Sequence, residues 1–165
     1  MKQEMFSKSL DLRTIQVEDP FWKKELELVR KEVLPYQWDA LNDKIQDAEK
    51  SYCMRNFKLA GELNRKRKSE GASYEEMKFP TNQWVTVPEP GKEEERFYGW
   101  YFQDSDFAKW IEAVAYSLTQ YPDATLEAVA DAAIDQVVAA QLENGYLNTH
   151  YGINDPTQIF TNLRD

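Results

Sequence analysis

Cysteine and histidine are almost absent from this sequence of 165 residues, which contains one of each. The single cysteine, Cys53, excludes a disulfide within the chain. A structural zinc site takes four ligands, mostly thiolate and imidazole, so these residues cannot form one alone. We therefore predict no metal site and no cofactor in this chain. The lack of disulfides fits a reducing compartment, and we expect a cytoplasmic protein.

Long apolar segments and an excess of basic charge are also missing. No segment approaches the roughly 18 consecutive apolar residues of a membrane span, and the first 20 residues lack the apolar core of a signal peptide. The 29 acidic residues outnumber the 20 basic residues, which gives a net charge of −9. Phosphate backbones and anionic lipid surfaces attract clustered Lys and Arg. We therefore expect neither nucleic acid nor a membrane as a partner.

Amphipathic helical patterns are the main feature that the sequence does contain. Asp19 followed by Pro20 is typical of a helix N-cap and its first position, and Pro35 predicts the end of that helix. A weaker pattern predicts another helix over about 36–49. The apolar stripe of the first helix, over 20–34, is spaced i, i+4, i+7 and i+11 and consists of Trp22, Leu26, Val29 and Val33.

The strongest pattern lies between residues 104 and 142 and predicts two helices joined as a hairpin. Asp104 and Asp106 supply capping oxygens and negative charge at the first helix, and Asp123 can cap the second. Gly145 is suited to the left-handed conformation that ends a helix. The apolar faces include Phe107, Trp110, Ile111, Val114 and Leu118, and then Leu126, Val129, Ala130, Ala133, Ile134, Val137, Val138 and Leu142.

An irregular segment separates these helical regions. Residues 64–96 have a basic block at 65–68, an acidic block and several prolines, and no apolar period crosses them. We predict a long insertion or surface loop, with the basic block solvated rather than bound to nucleic acid. The fold class is therefore all-α, built from paired amphipathic helices in a layered α/α architecture of which this chain forms a part.

Generic catalytic motifs do not occur, and the remaining chemical signal is a cluster of aromatic and polar residues. It spans 102–106, Trp110, and 145–151. Aromatic faces with Asn, Asp and His around them suit a sugar, which has an apolar ring face and a rim of hydroxyls. Structural roles compete with this interpretation: Trp110 fits the core, Asp104 and Asp106 fit helix caps, and Cys53 fits a buried structural thiol. His150 is placed in a loop, where a functional role and an ordinary loop role are equally favoured.

Five segments carry a resemblance to a known family. They are DPFWKKELELVRKEVLPYQW, NFKLAGEL, GWYFQDSDFAKWIEAVAYSL, QLENGYLNTHY and TNLRD. In this order and spacing the chain resembles the N-terminal part of glycoside hydrolase family 127, the β-L-arabinofuranosidases. The resemblance implies a retaining exo-glycosidase on an (α/α)6 barrel. It also implies a zinc-bound Cys nucleophile and a Glu acid/base in the complete enzyme.

The resemblance also sets expectations for this chain. None of the family's zinc ligands, nucleophile or acid/base has a matching position, so we expect no catalytic residue here. Residues 1–165 then form an N-terminal fragment of a partial (α/α)6 barrel, with the insertion at about 64–96. The expected partners are an arabinose-containing glycan and either self-association or a complementing C-terminal portion. The candidates for contact with the sugar are Tyr146, Asn148, His150 and Asp106.

Two other functions remain open from the sequence. The first is a stand-alone helical module that binds carbohydrate or protein without enzymatic activity. The second is a different α/α-toroid enzyme, such as an unsaturated glucuronyl hydrolase, with its catalytic Asp among Asp104 and Asp106. Turnover by the isolated chain would favour the second of these.

Overall fold

The computed structural model describes residues 9–71, 91 and 95–161, and in these ranges every regular element is helical. This confirms the all-α class. Two 3₁₀ turns, Leu12–Thr14 and Pro156–Gln158, flank the helical region. The α-helices are α1 (Pro20–Leu28), α2 (Leu34–Leu41), α3 (Cys53–Glu70), α4 (Asp104–Gln120), α5 (Ala124–Ala140) and α6 (Thr149–Asn154).

Helices α1 and α2 form one continuous but interrupted helix. The predicted N-cap is confirmed, since the Asp19 carboxylate accepts a hydrogen bond from the Trp22 amide at 3.1 Å. The predicted stop at Pro35 is wrong. A π-helical turn over Val29–Val33 connects the two helices, and the Leu34 amide bonds to the Val29 carbonyl five residues back. This wider turn accommodates a proline, whose ring would otherwise clash with the carbonyl four residues earlier.

The end of α2 and the course of α3 correct two further expectations. The helix expected over 36–49 ends at Leu41. The irregular segment expected from residue 64 begins later, because α3 continues to Glu70 and ends at Gly71, which is left-handed at φ +63°. The basic block at 65–68 therefore lies on the last turns of a helix, where positive side chains interact favourably with the negative end of the helix dipole. Residues 72–90 and 92–94 of the expected insertion lie outside the described residues.

The core forms where α3 meets α2, α4 and α5. Phe57 on α3 packs edge-to-face on Phe107 of α4, with ring centroids 5.7 Å apart. The Trp110 ring stacks on Trp38 at 4.4 Å, and its indole N–H donates to the Leu34 carbonyl at 3.1 Å. The expected core stripe of α4 is confirmed for the buried Phe107, Trp110 and Val114 and the partly buried Ile111 and Leu118.

Helix α5 follows α4 as a hairpin, but its main packing partner is α3. The Asp123 cap is confirmed, because its carboxylate accepts from the Thr125 and Leu126 amides at 3.0 and 3.1 Å. The helix ends at Ala140, before the expected stop, and Gly145 at φ +88° lies in the turn that follows. The apolar face that the sequence predicts for α5 is wider than the face that is buried, since Ile134 is 41% exposed and Val138 is 60% exposed.

The helices in the described part of the chain include no candidate for a membrane span. None of its helices combines the length and apolar character needed to cross a bilayer.

Candidate functional site

The starts of α4 and α6 are joined by one carboxylate. Asp104, the first residue of α4, accepts hydrogen bonds from the Thr149 backbone amide at 2.7 Å and from the Thr149 hydroxyl at 2.6 Å. The expected capping role of Asp104 is therefore wrong, since the N-cap of α4 is Gln103, without a side-chain cap bond. Asp104 instead fixes a segment 45 residues away, so that 146–150 has one position relative to α4.

The electrostatics of this junction reflect its burial. Burial raises the pKa of Asp104, and the hydrogen bonds from Thr149 offset part of that rise. Burial, and then the negative charge of Asp104, also raise the pKa of the Tyr146 phenol. The Tyr146 ring packs edge-to-face on Phe160 at 5.6 Å. The structure thus brings Asp104 and Thr149 together, and Tyr146 lies in the turn three residues before Thr149.

Asn148 and His150 lie at the start of the short helix α6. The Asn148 side chain is the N-cap and accepts from the Tyr151 amide at 3.1 Å. His150 is in the helix, so its expected loop placement is wrong. Its ring is 1% exposed and meets Phe97 edge-to-face at 4.9 Å. This burial favours a structural role for His150, and its contact with a sugar stays a prediction.

The far end of α6 is also held by polar contacts. The Arg67 guanidinium donates to the Ile153 carbonyl at 2.9 Å and to the Gly152 carbonyl. Helix α6 is therefore fixed at its start by Asp104 and at its end by α3. The turn that precedes α6 has hydrogen bonds of its own, from the Tyr146 amide to the Asn144 side chain at 3.0 Å and from the Leu142 amide to the Tyr146 carbonyl at 2.9 Å. Groups held in this way lose less entropy on binding.

Two aromatic rings stack in the loop that precedes α4, and the cluster predicted from the sequence includes Phe102 but not Trp100. The rings of Trp100 and Phe102 stack at 5.4 Å with an interplanar angle of 13°, and they are 38% and 52% exposed. Gly99, at φ +94°, turns the chain into this loop. The run of Gly followed by three aromatic residues is the signal that could have identified it.

Asp106 lies on a different side of α4 from Asp104. Two residues along an α-helix correspond to a rotation of about 200°. The Asp106 carboxylate accepts from the Gln103 amide at 2.8 Å and from the Lys109 ammonium at 3.0 Å, and it borders a cleft toward α2. Its predicted capping role is therefore replaced by side-chain contacts. Asp104 and Asp106 therefore have different hydrogen-bond partners on different sides of α4.

The residues of the described segments do not fit a zinc ion. No group of three or more His, Cys, Asp or Glu side chains comes together in them. The Cys53 thiol is buried and lies 3.5 Å from the Gln103 carbonyl oxygen. Burial, and then the charge of Asp104, raise the pKa of Cys53, which disfavours the thiolate needed by a ligand or nucleophile.

Comparison with known proteins gives this geometry a context. The chain is 30% identical over 151 residues to a non-reducing end β-L-arabinofuranosidase of Bifidobacterium longum, with 84% of this chain and 18% of that protein covered. A crystal structure of a GH127 β-L-arabinofuranosidase from Geobacillus stearothermophilus T6 matches with a TM-score of 0.69 and 41% identity. That match covers 91% of this chain and 19% of the other.

A second solved structure supports the fold alone. It is a GH127 β-arabinofuranosidase with a TM-score of 0.59 and 24% identity, over 87% of this chain and 17% of that chain. The chain therefore spans about a fifth of the length of these relatives. The model of the β-L-arabinofuranosidase GH127 catalytic domain matches residues 14–163. This chain thus belongs to glycoside hydrolase family 127, within the catalytic domain of that family.

Proposed function

We propose that this chain forms helices and one wall of the sugar pocket in a hydrolase of β-L-arabinofuranosides. The observation that carries the proposal is the junction of Asp104 with Thr149. It ties Thr149 to the start of α4, directly after the loop that carries the exposed Trp100 and Phe102 rings. Sugar sites combine aromatic or apolar surface with a few fixed polar groups.

The role that we assign to this wall is orientation of the sugar. Tyr146 can donate or accept a hydrogen bond at a sugar hydroxyl, and its ring packs on Phe160. Asn148 is occupied as a helix cap, and we infer that it acts mainly through the backbone that it fixes. The Trp100 and Phe102 pair supplies an apolar surface for a ring face.

In this proposal, residues outside the helices α1 to α6 carry out the chemical step. The resemblance implies a Glu and a zinc-bound Cys for the family. Cys53 is a poor candidate because of its burial and raised pKa. We therefore propose that the described helices position the sugar and exclude water, and that bond cleavage requires groups that they do not supply.

Titration with methyl β-L-arabinofuranoside, followed by NMR, tests this proposal on the 165-residue protein. We expect saturable shifts at Tyr146 and the Thr149 amide, and binding about 3- to 10-fold weaker for Tyr146→Phe, which loses one hydrogen bond. Tyr116→Phe is the matched control, because that exposed phenol donates to Glu112 on the same helix. Equal affinity of Tyr146→Phe and the unaltered protein would contradict the proposal.

The possible partners follow from the exposed apolar surface of α5. Ile134 and Val138 are 41% and 60% exposed. We propose that further helices of the family domain, or a second copy of the chain, cover them.

The stand-alone binding module differs from the hydrolase in one measurable respect. A binding module turns over no aryl β-L-arabinofuranoside even when the rest of a family catalytic domain is present.

A further inference from the structure

The cleft that Asp106 borders lies between α2 and α4, on a different side of α4 from Thr149. Its volume is about 480 Å³, within the range of small-molecule sites. Leu41, Trp110 and two alanines supply the apolar part of its lining. The polar groups around them come from Gln37, Ser51, Gln103, Asp106 and Lys109. This combination of an apolar floor and converging polar groups is typical of a ligand site.

The charges in this cleft favour a neutral ligand. The Lys109 ammonium lies 3.0 Å from one carboxylate oxygen of Asp106, so the two charges offset each other. The other carboxylate oxygen accepts from the Gln103 amide at 2.8 Å. Each carboxylate oxygen offers about two acceptor positions. Asp106 can therefore also accept hydrogen bonds from two neighbouring hydroxyl groups, while the ammonium and Ser51 can donate.

The polar groups are held in place before a ligand arrives. Gln103 is 9% exposed, and its amide nitrogen reaches both Asp106 at 2.8 Å and the Ser51 hydroxyl at 3.5 Å. Its amide oxygen accepts from the Trp100 backbone at 3.4 Å. A Cβ at Gly99 would meet that oxygen at 3.3 Å, so the glycine gives the amide its space. Fixed donors and acceptors reduce the entropy lost on binding.

We propose that the α2–α4 cleft is an accessory site for one neutral sugar unit, recognised through a pair of adjacent hydroxyls by Asp106 and Lys109. The ring face lies on the apolar side of the lining, where Ala40 and Ala113 are half-buried and only the edges of Leu41 and Trp110 reach the cleft. Such a site would retain a glycan at the helical surface, apart from the wall formed by Asp104 and Tyr146. The proposal goes beyond the function proposed above, since it concerns a separate surface that needs no cleavage chemistry.

A titration of the 165-residue protein reads the two surfaces separately. The probes are methyl β-L-arabinofuranoside and methyl α-D-xylopyranoside, and tetrahydrofurfuryl alcohol is the control that has a furanose-sized ring without adjacent hydroxyls. We expect saturable shifts in the side-chain amides of Gln37 and Gln103 and in the Trp110 indole with at least one sugar. The control alcohol should give none.

Variants assign the shifts to the cleft. We expect Asp106→Ala to weaken sugar binding at these signals by about 10-fold or more, because it removes both acceptors. Glu112→Gln, an exposed change on the same helix, should leave binding unchanged. Thermal melts identify any variant that fails to fold, and Gln37→Ala then serves as a second, exposed probe of the cleft.

The outcomes separate this proposal from the proposed function. Cleft signals that do not move with either sugar up to about 50 mM, well above the millimolar range of a weak site, would overturn the accessory site even if Tyr146 responds. Cleft signals that move while Tyr146 stays silent would support the accessory site and count against the proposed sugar wall.

Discussion

Helices α1 and α3 show opposite relations between sequence pattern and burial. The pattern of α1 is amphipathic, yet none of its residues is buried, and Phe21 and Trp22 are 60% and 59% exposed. The sequence of α3 ends in a basic block and prompted no helix prediction, yet seven of its residues are buried. An apolar stripe therefore indicates that a helix can bury a face, whereas burial requires a partner helix within reach.

The partners of α3 explain the difference. Small side chains on two helices allow their backbones to approach closely, as where Gly61 faces Ala139. Asn64 then donates to the Ala139 and Ala140 carbonyls at 3.2 and 3.0 Å at the end of α5. In the described residues the main neighbour of α1 is the π-helical turn that continues the same helix. The core position of α3 thus depends on size and hydrogen bonding as much as on apolar content.

The largest effect that would test this comparison is truncation of a core ring on α3. Phe57 is 1% exposed, and we expect Phe57→Ala to lower the free energy of unfolding by about 3–5 kcal/mol through lost burial and a cavity. Phe21→Ala on α1 should change it by less than about 0.5 kcal/mol. Urea denaturation measures both. A similar loss for the two variants would show that α1 is packed in solution.

An intermediate effect is expected where α3 and α5 touch. A Cβ at Gly61 would lie 3.1 Å from the Ala139 Cβ and 3.2 Å from its backbone carbon, so Gly61→Ala should cost about 1–3 kcal/mol by overpacking. The matched control is Gly152→Ala in α6, where a Cβ meets nothing within 4 Å. That change should be neutral or stabilising by up to about 1 kcal/mol. Thermal melts of both variants measure the effect, and equal stabilities of Gly61→Ala and Gly152→Ala would contradict it.

The smallest effect is the pH dependence that Asp104 contributes. Its folded-state pKa is raised above the ordinary value of 3.8, so the folded protein binds more protons than the unfolded chain just above that pH. The contribution of Asp104 to stability should therefore fall as pH rises from about 3.8 through the raised pKa. The slope for one group is at most about 1.4 kcal/mol per pH unit.

Asp104→Asn should remove this fall, so that the stability of the variant relative to the unaltered protein increases over the same pH window. The exposed counterpart on α1 is Glu27→Gln, which removes an ion pair with Lys31. That change should leave the pH profile within error, since exposed pairs contribute little. Parallel profiles for Asp104→Asn and the unaltered protein would place Asp104 in a solvated environment.

The candidate site was only partly predictable from the sequence. The cluster of aromatic and polar residues at 102–106 and 145–151 indicated the region, and the structure joins its two halves through Asp104 and Thr149. The split between Asp104 and Asp106 was not predicted. Alternating acidic residues suit a helix start equally well in either orientation, and only the neighbouring helices decide what each carboxylate contacts.

Several elements could be predicted from the sequence alone, because they depend on local interactions. The caps at Asp19 and Asp123, the core stripe of α4 and the all-α class depend on contacts within a few residues or on a simple period. The family resemblance likewise depends on linear motifs, and the match over residues 14–163 confirms it.

Tertiary structure alone decided the features that depend on distant residues. Four features depend on a neighbour remote in sequence or on a change in helical register. They are the passage of the helix through Pro35, the extension of α3 to Glu70, the burial of His150 and the different contacts of the two carboxylates. The physical reason is that a residue's own preferences limit its conformation, whereas its burial and hydrogen-bond partners are set by whichever surfaces the fold brings against it.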